Sequence, residues 1–232
     1  KVVASGNRLL VEVELDGNIH QQLLAFANGQ FIQQASFELE GQLTALNGGL
    51  VYTLSGQSVM AYQVAQTVSE IAGITLDSDI LSTQFADSAL WVLTKDALVK
   101  LQLTNEGQLI ALTEAQRFAV NGAHGFALSG KQLAVFEGNT YVQYQISDSG
   151  LIELSRLELA HEITTATRHG DIWWLQTAPE NSSLNWHGVK EGQLVGMLAG
   201  GELFAIKQSK LYSLQEQVWY SRNLLGDSQA LS

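Results

Sequence analysis

The segment Ser82–Leu112, which reads STQFADSALWVLTKDALVKLQLTNEGQLIAL, decides the fold class of this 232-residue chain. It contains four short runs suited to β-strands: Ser82–Ala86, Leu90–Thr94, Leu98–Leu103 and Gln108–Leu112. In the third of these runs, Val99, Leu101 and Leu103 alternate with polar residues, which is the period of two that a half-buried strand requires. The connections between the runs are short and polar, so they predict hairpins and an antiparallel sheet.

The apolar centre of the second run recurs along the chain at a nearly constant spacing. The equivalent positions, separated by 40, 40, 43, 39 and 39 residues, are Leu10, Leu50, Leu90, Leu133, Ile172 and Leu211. The turn before this position also recurs, and its glycine, which tolerates positive φ, is Gly6, Gly48, Gly130 or Gly170. A steady period of this length indicates six copies of one supersecondary unit.

Four antiparallel strands in about 40 residues form the blade of a β-propeller. The chain therefore resembles the β-propeller superfold, with a repeat architecture like that of WD40 and kelch proteins. We predict an all-β fold of six four-stranded blades, at about 1–40, 41–80, 81–117, 118–160, 161–201 and 202–232. A β-sandwich or a pair of barrels would not explain the steady period. The Gly-His and Trp-Asp pairs typical of WD40 repeats do not occur in register, and the double glycine typical of kelch repeats does not recur in each unit. No specific family is therefore identified.

The last unit is shorter than the others. Its fourth strand is reduced to a short run at Gln229–Leu231, and the sequence begins at Lys1 without a methionine. We therefore expect residues 1–232 to be one propeller domain excised from a longer chain. Three alternatives stay open: further residues complete the last blade, further blades follow, or the ring closes loosely.

The composition limits the partners and the chemistry. The chain has 23 acidic and 12 basic residues and a formal net charge of −11, which repels nucleic acid and anionic membrane surfaces. No apolar run approaches the roughly 18 residues of a membrane span, so we expect no membrane insertion. The chain has no cysteine, which excludes disulfides, thiolate catalysis and Cys-ligated zinc. This composition fits a periplasmic or extracellular bacterial protein.

Acidic residues fall near every connection from the fourth strand of one unit to the first strand of the next. Around a propeller these connections would converge near the mouth of the channel and could hold Ca²⁺ or a cationic ligand. The acidic candidates are Glu40, Asp77, Asp79, Glu114, Glu162 and Glu202. Exposed connections are also polar in proteins without a ligand, and no loop of spaced Asp and Gly ligands is present. The sequence therefore leaves a metal open and requires no cofactor.

Arg168 is the basic candidate for the same mouth. It ends an innermost strand whose preceding residues, Thr164–Thr167, are small. An arginine at a channel mouth can bind a carboxylate or phosphate through two parallel hydrogen bonds, or it can pair with a neighbouring acid. No Gly-x-Ser-x-Gly motif or other catalytic set accompanies it.

These features favour a binding or scaffolding propeller that mediates protein–protein or ligand interaction, with a protein as the expected partner. One alternative is a Ca²⁺-dependent hydrolase or lyase with its site at the channel mouth. A structural spacer without a ligand is the third interpretation. The sequence does not decide whether the protein is an enzyme, although no catalytic residues are identified.

Overall fold

The computed structural model describes residues 1–15, 18–65, 67–106, 109–178, 185–199, 202–207, 210–215, 218–223 and 228–230. The described residues form β-strands and turns, and no helix occurs among them. By their contacts they divide into two compact units, an N-terminal unit of Lys1–Gly122 and a C-terminal unit of Ala123–Ser232.

The strands follow one another in groups of four. In the N-terminal unit, β1–β4 are Val2–Ser5, Arg8–Leu15, Asn18–Ala27 and Gln30–Phe37; β5–β8 are Gln42–Asn47, Leu50–Ser55, Ser58–Val64 and Val68–Thr75; and β9–β12 are Ile80–Ala86, Ala89–Thr94, Ala97–Glu106 and Leu109–Ala119. In the C-terminal unit, β13–β16 are Gly125–Ser129, Gln132–Glu137, Thr140–Ser147 and Gly150–Glu158; β17–β20 are Ile163–His169, Ile172–Thr177, Asn185–Lys190 and Gln193–Ala199; and β21–β24 are Glu202–Lys207, Lys210–Gln215, Val218–Asn223 and Ser228–Ala230.

Each group of four pairs in chain order as an antiparallel sheet. This confirms the predicted all-β class and the four-strand repeat, and the runs predicted within Ser82–Leu112 are β9–β12. Side chains are described for most residues of the five sheets formed by β1–β20, and β21–β24 are described by their backbone pairing. The recurring glycines of the first hairpins have φ between +58° and +62°, as their place in tight turns predicts.

The first strands of consecutive sheets adjoin within each unit. In the N-terminal unit β1 contacts β5 and β5 contacts β9, and in the C-terminal unit β13 contacts β17. Buried side chains fill the space between consecutive sheets, for example Leu90, Val92 and Leu101 against Tyr52 and Val59. All six residues of β10 are buried, which explains why Ala89–Thr94 reads as a continuous apolar run instead of an alternating one.

The fourth strand of each of the five sheets carries a β-bulge at an equivalent place. The residue without a partner on the third strand is Gln34, Ile71, Ala115, Leu154 or Val195. A bulge adds one residue to one strand, so side chains three positions apart, instead of two, lie on the same face across it. This shift in alternation positions several of the ion pairs described below.

Candidate functional site

Arg117 brings together two of the predicted acids in the N-terminal unit. Its Nη2 atom lies 3.0 Å from Asp77 Oδ1 and 2.7 Å from Glu114 Oε1, and its Nε and Nη1 atoms complete two-point contacts with both carboxylates. These hydrogen bonds hold the pKa of Asp77 below its ordinary value of 3.8. Both carboxylates are therefore occupied by one guanidinium group.

Glu114 lies within β12 instead of in a connection, because β12 continues to Ala119. The bulge at Ala115 places Glu114 opposite Leu101 and Arg117 opposite Val99, so the two charged residues share a face. The same arrangement recurs 39 residues later, where Arg156 binds Glu153 and also Glu137. The sequence signal for these pairs is a Glu-x-x-Arg motif in two consecutive repeats. Strict strand alternation does not predict it, because residues three positions apart share a face only across a bulge.

The other acidic candidates have separate surroundings. Asp79 accepts a hydrogen bond of 3.2 Å from Gln57 Nε2, and Glu40 lies between β4 and β5. Glu202 is the first residue of β21, and its side chain lies outside the described residues. Within the part of the chain that the structure describes, no group of three or more His, Asp or Glu side chains could hold a metal ion.

Glu162 lies beside His124, which links two sheets of the C-terminal unit. The Nδ1 atom of His124 accepts a hydrogen bond of 3.1 Å from the Gly138 backbone N–H, so its Nε2 atom is free to donate to the Ile163 carbonyl at 2.7 Å. Glu162 Oε1 is 3.7 Å from the same Nε2 atom. This histidine therefore has a structural role in holding the start of β17.

Arg168 lies at the other end of β17 from Glu162. Arg168 is six positions after Glu162 along the strand, which corresponds to roughly 20 Å. Arg168 and Glu162 therefore do not form one site, and Arg168 instead faces the end of the sheet that carries the β17–β18 turn.

Arg168 lines a cavity of about 300 Å³ within the C-terminal unit. The polar residues around it include Gln132, Gln143, Ser155, Asp171 and Lys190. The guanidinium group lies over the ring of Trp173, with 5.9 Å from Cζ to the ring centroid. Its Nε atom is buried, and no residue that the structure describes accepts a hydrogen bond from it.

The side chains of the cavity wall are fixed by their own hydrogen bonds. Gln143 Oε1 accepts from the Tyr141 hydroxyl at 3.1 Å and from Ser155 Oγ at 3.2 Å, and Gln143 Nε2 donates to Gln132 Oε1 at 2.8 Å. At the rim, Lys190 forms an ion pair with Asp171 and lowers the pKa of that carboxyl group. The wall is therefore preorganised around Arg168.

Gly192 follows Glu191, a residue of the cavity wall, and lies close to Ser155. Its φ is +76°, and a Cβ atom at this position would lie 2.9 Å from Ser155 Cβ. Glycine is therefore required both by the backbone conformation and by the close approach of β16.

A second surface feature is the apolar side of the outer strands. Among the described residues, eight of the twelve exposed large hydrophobic side chains lie on the fourth strand of a sheet. They are most concentrated on β20, where Leu194, Val195 and Met197 are 54%, 48% and 65% exposed. We call these three residues the β20 apolar surface.

Comparison with solved structures identifies the architecture. A Bacteroides fragilis protein described as a candidate 6-phosphogluconolactonase aligns with 98% of this chain and 80% of its own, at a TM-score of 0.68 and 13% identity. Kluyveromyces lactis Hsv2 aligns with 95% of this chain and 72% of its own, at a TM-score of 0.66 and 11% identity. Saccharomyces cerevisiae Sqt1 aligns with 99% of this chain and 74% of its own, at a TM-score of 0.64 and 9% identity.

All three structures are β-propellers, so the predicted resemblance to this superfold is confirmed. Identities this low show the fold alone. No protein-family model and no curated protein sequence matches the chain. No helix among the described residues is long and apolar enough to cross a membrane.

Proposed function

We propose that this chain is a six-bladed propeller that binds a protein partner through the β20 apolar surface. The observation that carries the proposal is the exposure of three large hydrophobic side chains on one outer strand. An exposed apolar cluster on a folded domain is typical of an interaction site. The likeness to the WD40 propellers Hsv2 and Sqt1 supports a binding role.

The sequence of β20 supports contact with another chain. Gln193–Ala199, which reads QLVGMLA, contains no charged residue and no proline, the residues that usually protect an edge strand. β20 is also the last strand of its sheet, so one of its hydrogen-bonding edges is available to a partner strand. The bulge at Val195 interrupts this edge, which favours side-chain docking as the larger part of the contact.

The expected affinity contribution follows from the exposed area. Burial of a whole large apolar side chain contributes about 1.5–3 kcal/mol, so three side chains that are half exposed would contribute about 3 kcal/mol. This free energy corresponds to about a hundred-fold change in Kd. The strongly negative chain further favours a partner whose apolar segment is flanked by basic residues.

The test begins with the wild-type chain immobilised in an extract of the source organism, followed by purification of any captured protein. The purified partner is then titrated against the wild type, a Leu194→Ser/Met197→Ser variant, and a control variant, Phe31→Ser/Ile32→Ser, which changes two exposed apolar residues of β4. We expect the β20 variant to bind about ten- to a hundred-fold more weakly and the β4 control to bind as the wild type does. Equal binding by both variants would refute the β20 surface as the site.

The six-blade count and the cellular location are parts of the same proposal. We propose a periplasmic or extracellular location, with which a chain without cysteine is compatible. A Ca²⁺-dependent hydrolase or lyase is not proposed, because no observation favours it and Arg117 occupies two of the acids it would use.

A further inference from the structure

We propose that the cavity around Arg168 binds a small hydroxy carboxylate, with Arg168 as the residue that holds the carboxylate. This site uses none of the residues of the β20 apolar surface, so it is a second binding function independent of the first. The cavity volume of about 300 Å³ lies at the lower end of the range of ligand pockets, roughly 300–1,000 Å³.

The repeat itself shows that Arg168 is an exception. It pairs with Trp173 and is the next-to-last residue of its strand, and the other first strands have apolar residues at the same register position. These residues are Ala4, Leu46, Phe85, Leu128 and Ile206. Arg168 therefore occupies a position at which two other sheets have a buried leucine, Leu46 and Leu128, whereas Ala4 is exposed and Phe85 is half-buried.

Arg168 and Asp171 attract each other through their charges without forming an ion pair, and the Asp171 carboxylate is paired with Lys190 instead. Arg117 and Arg156 each bind two carboxylates, and Arg8 donates to the Gly48 carbonyl. Arg168 makes no hydrogen bond and no ion pair with any residue in the described ranges, although the chain has nearly twice as many acids as bases. Leaving a buried guanidinium N–H without an acceptor is costly, so the arrangement favours an acceptor that comes from outside the chain.

The donors left over in the cavity define the ligand. Gln132 Nε2 and the second hydrogen of Gln143 Nε2 have no acceptor among the described residues, whereas both Gln143 Oε1 and Gln132 Oε1 are already used. Together with the Arg168 guanidinium group, these N–H groups match the two oxygens of a carboxylate.

The acids at the rim narrow the class further. Asp171 and Glu191 line the same cavity, and they would repel a doubly charged phosphate more than a singly charged carboxylate. Their oxygens can accept hydrogen bonds from hydroxyl groups of a ligand. A monoanion that carries both a carboxylate and hydroxyl groups therefore satisfies the donors inside and the acceptors at the rim.

Nuclear magnetic resonance can observe Arg168 directly, because the chain has only five arginines and each gives one Nε–Hε signal. The Arg168→Leu variant assigns its signal by deletion and also restores the residue type found at the equivalent Leu46 and Leu128. D-gluconate is the probe, acetate and phosphate test the hydroxyl and charge requirements, and Arg8→Leu is the control with the same change of charge.

We expect gluconate to shift the Arg168 signal saturably in the wild type and in Arg8→Leu, and to bind more tightly than acetate or phosphate. Arg168→Leu should bind gluconate about ten-fold or more weakly, while its melting temperature stays equal to or above that of the wild type. A lower melting temperature together with unchanged gluconate affinity would assign Arg168 a structural role and overturn the proposal. Absence of a saturable shift with any probe, or tighter binding of phosphate, would also overturn it.

Discussion

Substitution of Leu90 by alanine tests whether β10 packs against the neighbouring sheet β5–β8 of the N-terminal unit. Leu90 is 0% exposed and pairs with Phe85 on β9 and with Leu101 on β11. Val92 and Val99 belong to the same buried cluster, so the surrounding residues cannot collapse easily into the space that the substitution creates. Leu→Ala changes at buried sites cost about 2–5 kcal/mol, and we expect about 3–5 kcal/mol here.

The matched control is Leu81→Ala. Leu81 lies on the neighbouring strand β9 and is 48% exposed, so the same chemical change should cost about 1 kcal/mol or less. Urea denaturation followed by both circular dichroism and tryptophan fluorescence gives the two free energies, provided that the two signals change together. For a chain of this size the buried substitution corresponds to a decrease in melting temperature of about 10 °C. If Leu90→Ala costs no more than Leu81→Ala, the packing of β10 against the sheet β5–β8 is refuted.

Three further predictions test the conformation of Gly192, the ion pairs of Arg117 and the binding of Ca²⁺ by the acidic connections. Gly192→Ala should destabilise the C-terminal unit by about 2 kcal/mol more than Gly130→Ala in thermal melts, because both have positive φ but only Gly192 would contact Ser155. Arg117→Gln should lower the melting temperature above pH 3.8, the ordinary pKa of Asp77. The difference from the wild type should shrink as the pH falls through the lowered pKa of Asp77, because the protonated carboxyl group no longer benefits from Arg117. A difference that stays constant with pH would contradict this prediction. Calcium at about 100 times the Kd of a bound site would add about 2.7 kcal/mol, so an unchanged melting temperature in millimolar Ca²⁺ is expected, and a rise of several degrees would restore the calcium hypothesis.

The sequence predicts the repeated sheet well because strand alternation and turn glycines are local properties. Val99, Leu101 and Leu103 identify β11, and Gly48 identifies a hairpin, without any knowledge of distant residues. The bulges are not predictable in this way, because an extra residue such as Ala115 looks like any other in an exposed strand. The pairing of Glu114 with Arg117 depends on that bulge. The sequence alone therefore suggested Glu114 as a ligand for a cation, whereas in the structure its carboxylate binds Arg117.

For Arg168 the sequence predicts a candidate binding residue but not the end of the sheet at which that residue lies. A basic side chain after four small residues is visible in the sequence, whereas the end of the sheet at which it lies follows from the strand order. Once the register is known, the comparison with Leu46 and Leu128 becomes direct, because all three occupy the same place in their sheets.

Departures from the repeat are more informative about function here than the repeat itself. Positions that agree across the sheets, such as Leu90 and Leu133, are buried and account for packing. Arg168 departs from this pattern at a half-buried position in the cavity wall, and β20 concentrates the exposed apolar side chains that a solvent-exposed outer strand usually lacks. Neither departure stabilises the isolated fold, since one leaves a guanidinium N–H without an acceptor and the other exposes apolar area to water. Costs of this kind are expected where a ligand or a partner supplies the missing contacts, which is why both proposals are located at these two places.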